Sequence, residues 1–154
     1  MQDITRPRIL CVDDDEDSRE MLTELLKLAR IEAKTVGTAV QALSSMETGR
    51  FDLYVIDAWL PEIDGFELCR RMRAIDRHTP ILFFSGAAHT ADRKKGLDAG
   101  ANAYLVKPEI NNLVQTITQF VGQATATATA TAQVIPFRPK MSFYPSFSSG
   151  PFAA

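Results

Sequence analysis

Four short apolar runs in this chain each end on a residue able to take part in chemistry. ILCV (9–12) runs into DDDED, LYVI (53–56) into Asp57, ILFF (81–84) into Ser85-Gly86, and AYLV (103–106) into Lys107-Pro108. Unbroken apolar runs of this length suit strands covered on both faces, as in a parallel sheet sandwiched between helices. A weaker run, AKTV (33–36), adds a fifth candidate strand. Between the runs the apolar spacing becomes helical. Met21, Leu22, Leu25, Leu26 and Ala29 form one stripe; Val40, Leu43 and Met46 suggest a second helix ending near Gly49. Phe66, Cys69, Met72 and Ile75 step by three along a third. Residues 91–99 make a shorter, weakly apolar fourth, and Ile110, Leu113, Val114, Ile117, Phe120 and Val121 mark the fifth. Strands alternating with helices imply an α/β domain with a parallel sheet and right-handed crossovers.

In an open parallel sheet, ligand sites form beyond the carboxyl ends of the strands, where the strand order reverses. If the first and third strands are neighbours there, Asp13, Asp14 and Asp57 converge. Two unit charges about 4 Å apart repel by roughly 4 kcal/mol at an effective dielectric near 20, so such a cluster calls for a cation. An oxygen-only donor set suits a hard ion, and magnesium fits a site of few carboxylates that keeps waters. Lys107 and Ser85 offer an ammonium and a hydroxyl to the oxygens of a phosphoryl group. Gly86 would let its backbone approach closely and donate its N–H as well. A plainer reading makes DDDED a solvated loop with Asp17 or Ser18 capping the next helix. Asp57 at a second strand end favours the site. Ser85 as a cap of the fourth helix and Tyr104 as plain sheet packing remain open readings. Asp64-Gly65 reads as the turn opening the third helix. His78 and His89 stand isolated and read as neither phosphodonors nor ligands.

Composition narrows the class. A net charge of -2 over 154 residues provides no basic field for nucleic acid. Cys11 and Cys69 lie in apolar patterns without metal-site spacing and read as reduced, buried thiols. The N-terminus has no signal-peptide pattern, and no run reaches the roughly 20 apolar residues of a membrane span; the expected location is the cytoplasm. After Val121 the character changes. GQATATATATAQ is low in complexity and buries little, and VIPFRPKMSFYPSFSSGPFAA is rich in proline and aromatics. Residues 1–122 are therefore expected to form the domain. Residues 123–154 are expected to form an Ala/Thr linker and a tail, either disordered or docking its aromatics on a partner.

The motifs ILCVDDD, YVIDAWLPEIDG, FFSG and GANAYLVKP, in this order and spacing, make residues 8–121 resemble the receiver domain of two-component response regulators. The resemblance implies a flavodoxin-like, doubly wound (βα)5 fold with a five-stranded parallel sheet in the order 2-1-3-4-5. It implies that Asp57 is the phosphoacceptor, attacking a phosphohistidine on a sensor histidine kinase or histidine phosphotransfer protein. Asp14, Asp57 and the backbone carbonyl of Trp59 would ligate Mg2+, with Asp13 acting through water. Lys107 would pair with Asp57 and then with the phosphoryl group. Ser85 would move to bond a phosphate oxygen and Tyr104 would turn inward behind it. The Lys107–Pro108 bond is often cis in the family.

Three departures qualify the match. Trp59, two residues after the acceptor, has no oxygen with which to orient a hydrolytic water, and Ala87 offers none either. The indole either shields the phosphoryl group or packs on a partner. Asn102 and Ala103 stand where many transcription-factor receivers carry an acidic pair, which argues against the charge-paired dimer of those proteins. The expected function is a stand-alone receiver, not an enzyme, that switches binding to a protein through its fourth helix, fifth strand and fifth helix, with the tail as a candidate second contact. The alternative is a phosphorelay intermediate. An aspartyl-phosphate phosphatase would want an acid at Trp59, and a flavin carrier would want hydroxyls and glycines in place of DDDED.

Overall fold

The computed structural model describes residues 6–129, of which 123–129 are described for backbone alone. Five strands alternate with five helices: β1 Arg8–Val12, α1 Glu16–Leu28, β2 Glu32–Val36, α2 Ala39–Thr48, β3 Leu53–Ile56, α3 Gly65–Ile75, β4 Ile81–Ser85, α4 Thr90–Asp98, β5 Ala103–Val106 and α5 Ile110–Thr129. The strands are parallel, in the order β2-β1-β3-β4-β5. This is the flavodoxin-like topology the motifs imply.

Alternate residues of each strand feed two separate cores, because successive side chains on a strand point to opposite faces. Ile9, Cys11, Leu53, Val55, Leu82, Phe84 and Ala103 pack with Leu22 and Leu26 of α1 and Leu113, Ile117 and Val121 of α5. Leu10, Val12, Tyr54, Ile56, Ile81, Phe83 and Tyr104 face α2 and α3, through Ala39, Ala42, Phe66, Cys69 and Met72. Both cysteines are buried and unpaired. Among the described residues, no helix is long and apolar enough to cross a membrane.

Several local expectations need correction. The α1 cap is Asp15, whose carboxylate accepts from the Ser18 N–H at 2.9 Å; it is neither Asp17 nor Ser18. In α2 the buried face is Ala39, Ala42 and Ser45, while Val40 is 63% exposed. A short helix lying close on the sheet turns its small residues inward, and larger side chains spread to the flanks. Ile75 ends its stripe in solvent at the last turn of α3. Finally, α5 continues through Thr129, into the stretch expected to be a linker. Extending a helix already nucleated by packing costs little where alanine, the best helix former, alternates with threonine. Residues 130–154, which carry the rest of the expected linker and tail, lie outside the described residues.

At the end of the sheet remote from the acidic residues, Arg73 joins α3 to its surroundings. Its guanidinium donates to the carbonyls of Gly100 (2.9 Å), Asp76 (3.1 Å) and Thr79 (2.6 Å), and to the Asn102 side-chain oxygen (2.7 Å). Asn102 in turn accepts from the Ile81 N–H at 2.9 Å. Asn102, expected to bear on dimerisation because it replaces an acid, is thus engaged within the domain. Replacing Arg73 by Ala removes a charged donor from all these acceptors. Urea denaturation is expected to show a loss of about 2–3 kcal/mol.

Candidate functional site

Register carries the polar strand ends to one place. Val12 is paired with Ile56, so the next residues, Asp13 and Asp57, stand side by side, and the Asp57 N–H donates to the Val12 carbonyl at 2.9 Å. Ser85 is paired with Val106, and the Lys107 N–H donates to the Ser85 carbonyl at 2.9 Å. Four chain segments, far apart in sequence, thereby surround the Asp57 carboxylate.

Asp57 is 8% exposed. Its Oδ1 accepts from the Ser85 hydroxyl at 2.8 Å and from the Trp59 N–H at 3.1 Å. Its Oδ2 accepts from Lys107 Nζ at 3.1 Å. The same ammonium lies closer to Asp13 Oδ2, at 2.7 Å, while Asp13 Oδ1 takes the Asp15 N–H at 2.9 Å. Asp13, Asp14 and Asp57 can each bring a carboxylate oxygen within 4.8 Å of the others. Asp13 and Asp57 are buried and Asp14 is exposed, so the cluster has an inner wall and an open side. Three convergent carboxylates with only oxygen donors form a set that a hard divalent cation fits.

The electrostatics follow from burial. Desolvation raises the Asp13 carboxyl above its ordinary range, and the Asp57 charge adds to the rise; the hydrogen bonds from Lys107 and Asp15 and the Lys107 charge only partly offset it. For Lys107 the balance is reversed. Burial alone would lower its ammonium, but the Asp13 hydrogen bond and the charges of Asp57 and Asp13 outweigh that and raise it.

Ser85 is fully buried, and its hydroxyl also accepts from the Ala87 N–H at 3.2 Å. The Ala87 carbonyl accepts from Tyr104 Oη at 2.7 Å. A continuous path thus runs from Asp57 through Ser85 and Ala87 to Tyr104. The Tyr104 ring, 2% exposed, stacks on Phe83 at 5.3 Å between centroids, and Phe83 stacks on Phe66 at 5.3 Å. Tyr104 thus faces inward. Ala87, read as offering nothing, joins Ser85 to Tyr104 through its backbone, which a side-chain reading does not register.

A Cβ on Gly86 would meet open space, so no protein neighbour requires glycine there. Within the protein, a close approach belongs to Gly65. A Cβ on Gly65 would lie 2.1 Å from the Asp57 carbonyl oxygen, and the Gly65 N–H donates to the Ala58 carbonyl at 2.9 Å. The first turn of α3, capped by Asp64 at 2.9 Å from the Glu67 N–H, therefore sits directly on the Asp57 backbone. Trp59 is 58% exposed. His89 precedes α4 as its cap residue, its N–H donating to Asp92 at 3.2 Å; the His78 N–H donates to Asp76 at 3.1 Å. The Lys107–Pro108 peptide is cis.

The model of the response regulator receiver domain matches residues 9–118. The chain belongs to this family. Receiver domains are signalling modules rather than ordinary enzymes. Among curated relatives, the transcriptional regulatory protein PrrA of Mycobacterium tuberculosis is 35% identical over 137 residues, covering 88% of this chain and 59% of PrrA. The DNA-binding response regulator MtrA of the same organism is 39% identical over 106 residues, covering 69% of this chain and 46% of MtrA. The chain thus matches about half the length of these relatives. Among solved structures, the receiver domain of the sensor histidine kinase PA1611 of Pseudomonas aeruginosa, determined with a magnesium ion coordinated in its active-site cleft, superimposes with a TM-score of 0.70 at 30% identity. The match covers 77% of this chain and 99% of that one.

The raised Asp13 carboxyl gives this receiver a signed pH dependence. The folded state holds the Asp13 proton more tightly than the unfolded chain does. The associated stability is present below the ordinary carboxyl range, near pH 4, and is lost as pH rises through the folded value. At pH 7, Asp13→Asn is therefore expected to raise the melting temperature in chelator, and to shrink the further rise on adding a divalent cation. Thermal denaturation with and without the cation checks both.

Proposed function

We propose that Asp57 accepts a phosphoryl group from a phosphohistidine of a sensor histidine kinase or a histidine phosphotransfer protein, and that the modified receiver then switches its binding to a protein partner. The observation that carries this reading is the convergence of an ammonium, a hydroxyl and two further acids on one buried carboxylate. An Asp57 oxygen attacks phosphorus. The O–P bond forms, the P–N bond breaks, and its electron pair returns to the imidazole ring. Asp14, Asp57 and the Trp59 carbonyl would hold Mg2+ directly, and Asp13 through water. When bound, the ion supplies positive charge against the phosphoryl oxygens and the crowded acids.

The chain's own residues do the rest. Lys107, already in contact with Asp57, pairs with a phosphoryl oxygen. Ser85, which now donates to the carboxylate, donates to another. Catalysis of this kind is chiefly positioning and charge stabilisation. The path through Ala87 to Tyr104 carries a displacement of Ser85 to α4. That helix suits a movable element, because Gly96 is its only buried residue. A Cβ on Gly96 would lie 2.8 Å from the Tyr104 ring, so α4 rests on the ring itself. The reading surface is accordingly placed on α4, β5 and α5. The indole of Trp59, with no oxygen to orient a water, shields the acyl phosphate.

Incubation with acetyl phosphate and magnesium is expected to add one phosphoryl group by mass spectrometry, and Asp57→Asn to add none. Turnover of a free phosphoester without a covalent adduct would instead indicate a phosphatase. Trp59→Asn is expected to shorten the lifetime of the phosphoprotein several-fold; an unchanged rate of phosphate release removes the shielding role.

A further inference from the structure

We propose that Arg19, seated against Gly37, is a positioning residue that holds the acidic turn in shape and so sets its affinity for the divalent ion. The inference rests on the reading of Asp13, Asp14 and Asp57 as a magnesium site. Arg19 lies in α1, one turn past the Asp15 cap, and its own N–H donates to the Asp15 carbonyl at 3.1 Å. From there its side chain turns back over the end of β1, and Nη1 donates to the Asp13 carbonyl at 2.8 Å. The Asp13 N–H is meanwhile bound to the Val36 carbonyl at 3.0 Å. Both backbone polar groups of Asp13 are thus tied, one to the end of β2 and the other to α1.

This grip matters because the side chain is under load. Asp13 Oδ2 shares the Lys107 ammonium with Asp57, and the two like charges push their carboxylates apart. The turn can yield at its backbone, since DDDED has no apolar side chain to anchor it. A guanidinium on the Asp13 carbonyl resists that movement with a charge-assisted bond. Such outer partners orient a ligand without touching the metal, and losing one typically weakens metal binding about 10- to 100-fold.

The β2–α2 loop is shaped to admit the guanidinium. A Cβ on Gly37 would stand 3.1 Å from Arg19 Nη1. The loop is not free to withdraw, because the Gly37 N–H is held by Gln41 Oε1 at 2.9 Å. Gly37 and Arg19 therefore act as a pair: absence of a side chain on one leaves the place for the other. The groove in which Arg19 lies is otherwise lined by Glu16, Glu20, Glu24, Thr23 and Thr35.

The test is a calorimetric titration of magnesium into the full chain, wild type against Arg19→Met, Arg19→Lys and Gly37→Ala. Arg19→Met is expected to bind the ion about tenfold more weakly, and Arg19→Lys to recover part of the loss. At saturating magnesium, phosphorylation of Arg19→Met by acetyl phosphate is expected to return to the wild-type rate. That split between affinity and rate is one a general loss of stability would not produce. Wild-type affinity in a folded Arg19→Met overturns the proposal. Should that variant not fold, wild-type affinity in both Arg19→Lys and Gly37→Ala overturns it equally, and a loss in either supports it. The underlying reading fails separately: a wild-type chain that binds no magnesium removes the metal site and the role of Arg19 with it. A wild-type chain that binds magnesium but never carries phosphate on Asp57 removes the proposed function and leaves Arg19 in place.

Discussion

Lys107 reaches across the end of the sheet to Asp13 and Asp57 at once, at 2.7 and 3.1 Å. Two buried carboxylates on neighbouring strands would otherwise repel with nothing between them. The two share a single ammonium, and burial, with a smaller part from the Asp57 charge, leaves the Asp13 carboxyl raised. The acidic cluster is open on its Asp14 side. Even the strand order serves this contact. Lys107 comes directly after β5, at one edge of the sheet, and its ammonium meets the carboxylates of the residues that follow β1 and β3.

Around that charge centre the backbone is held from several sides. Gly65 lets α3 start in contact with the Asp57 carbonyl, and Arg19 ties the Asp13 carbonyl to α1. Ser85 connects Asp57 to Ala87 and Tyr104 by hydrogen bonds. The stacked rings of Phe66, Phe83 and Tyr104 extend beneath α4, with Lys95 Nζ 4.6 Å from the Phe66 ring centroid. A change at Asp57 therefore has both a polar route and an aromatic route toward the same helix. That convergence is the physical basis of the proposal that α4 is part of the readout surface.

Much of this is legible in the sequence, for reasons particular to each element. The central strands β1, β3 and β4 are buried on both faces, so ILCV, LYVI and ILFF stand out as apolar runs, and the polar residue closing each run marks the end where the site forms. The acids, the serine and the lysine are visible because strand ends are where such residues have no packing role. Side-chain patterns do less well where small residues do the packing. The inner face of α2 is Ala39, Ala42 and Ser45, and α4 rests on Gly96, so a search for large apolar stripes points to Val40 and finds almost nothing in α4. Backbone partners leave no trace either. Neither the Ala87 peptide nor the Asp13 carbonyl has a residue type that announces its role.

By itself the sequence determined the alternation of elements, the covering of the sheet on both faces and the chemical identity of the groups at its end, because hydrophobic period and residue type are local properties. Only the tertiary structure decided which oxygen meets which donor, that Tyr104 faces inward, and that Arg19 reaches back to the acidic turn. Those contacts depend on strand register and on distances between segments far apart in the chain, and no local pattern encodes a distance.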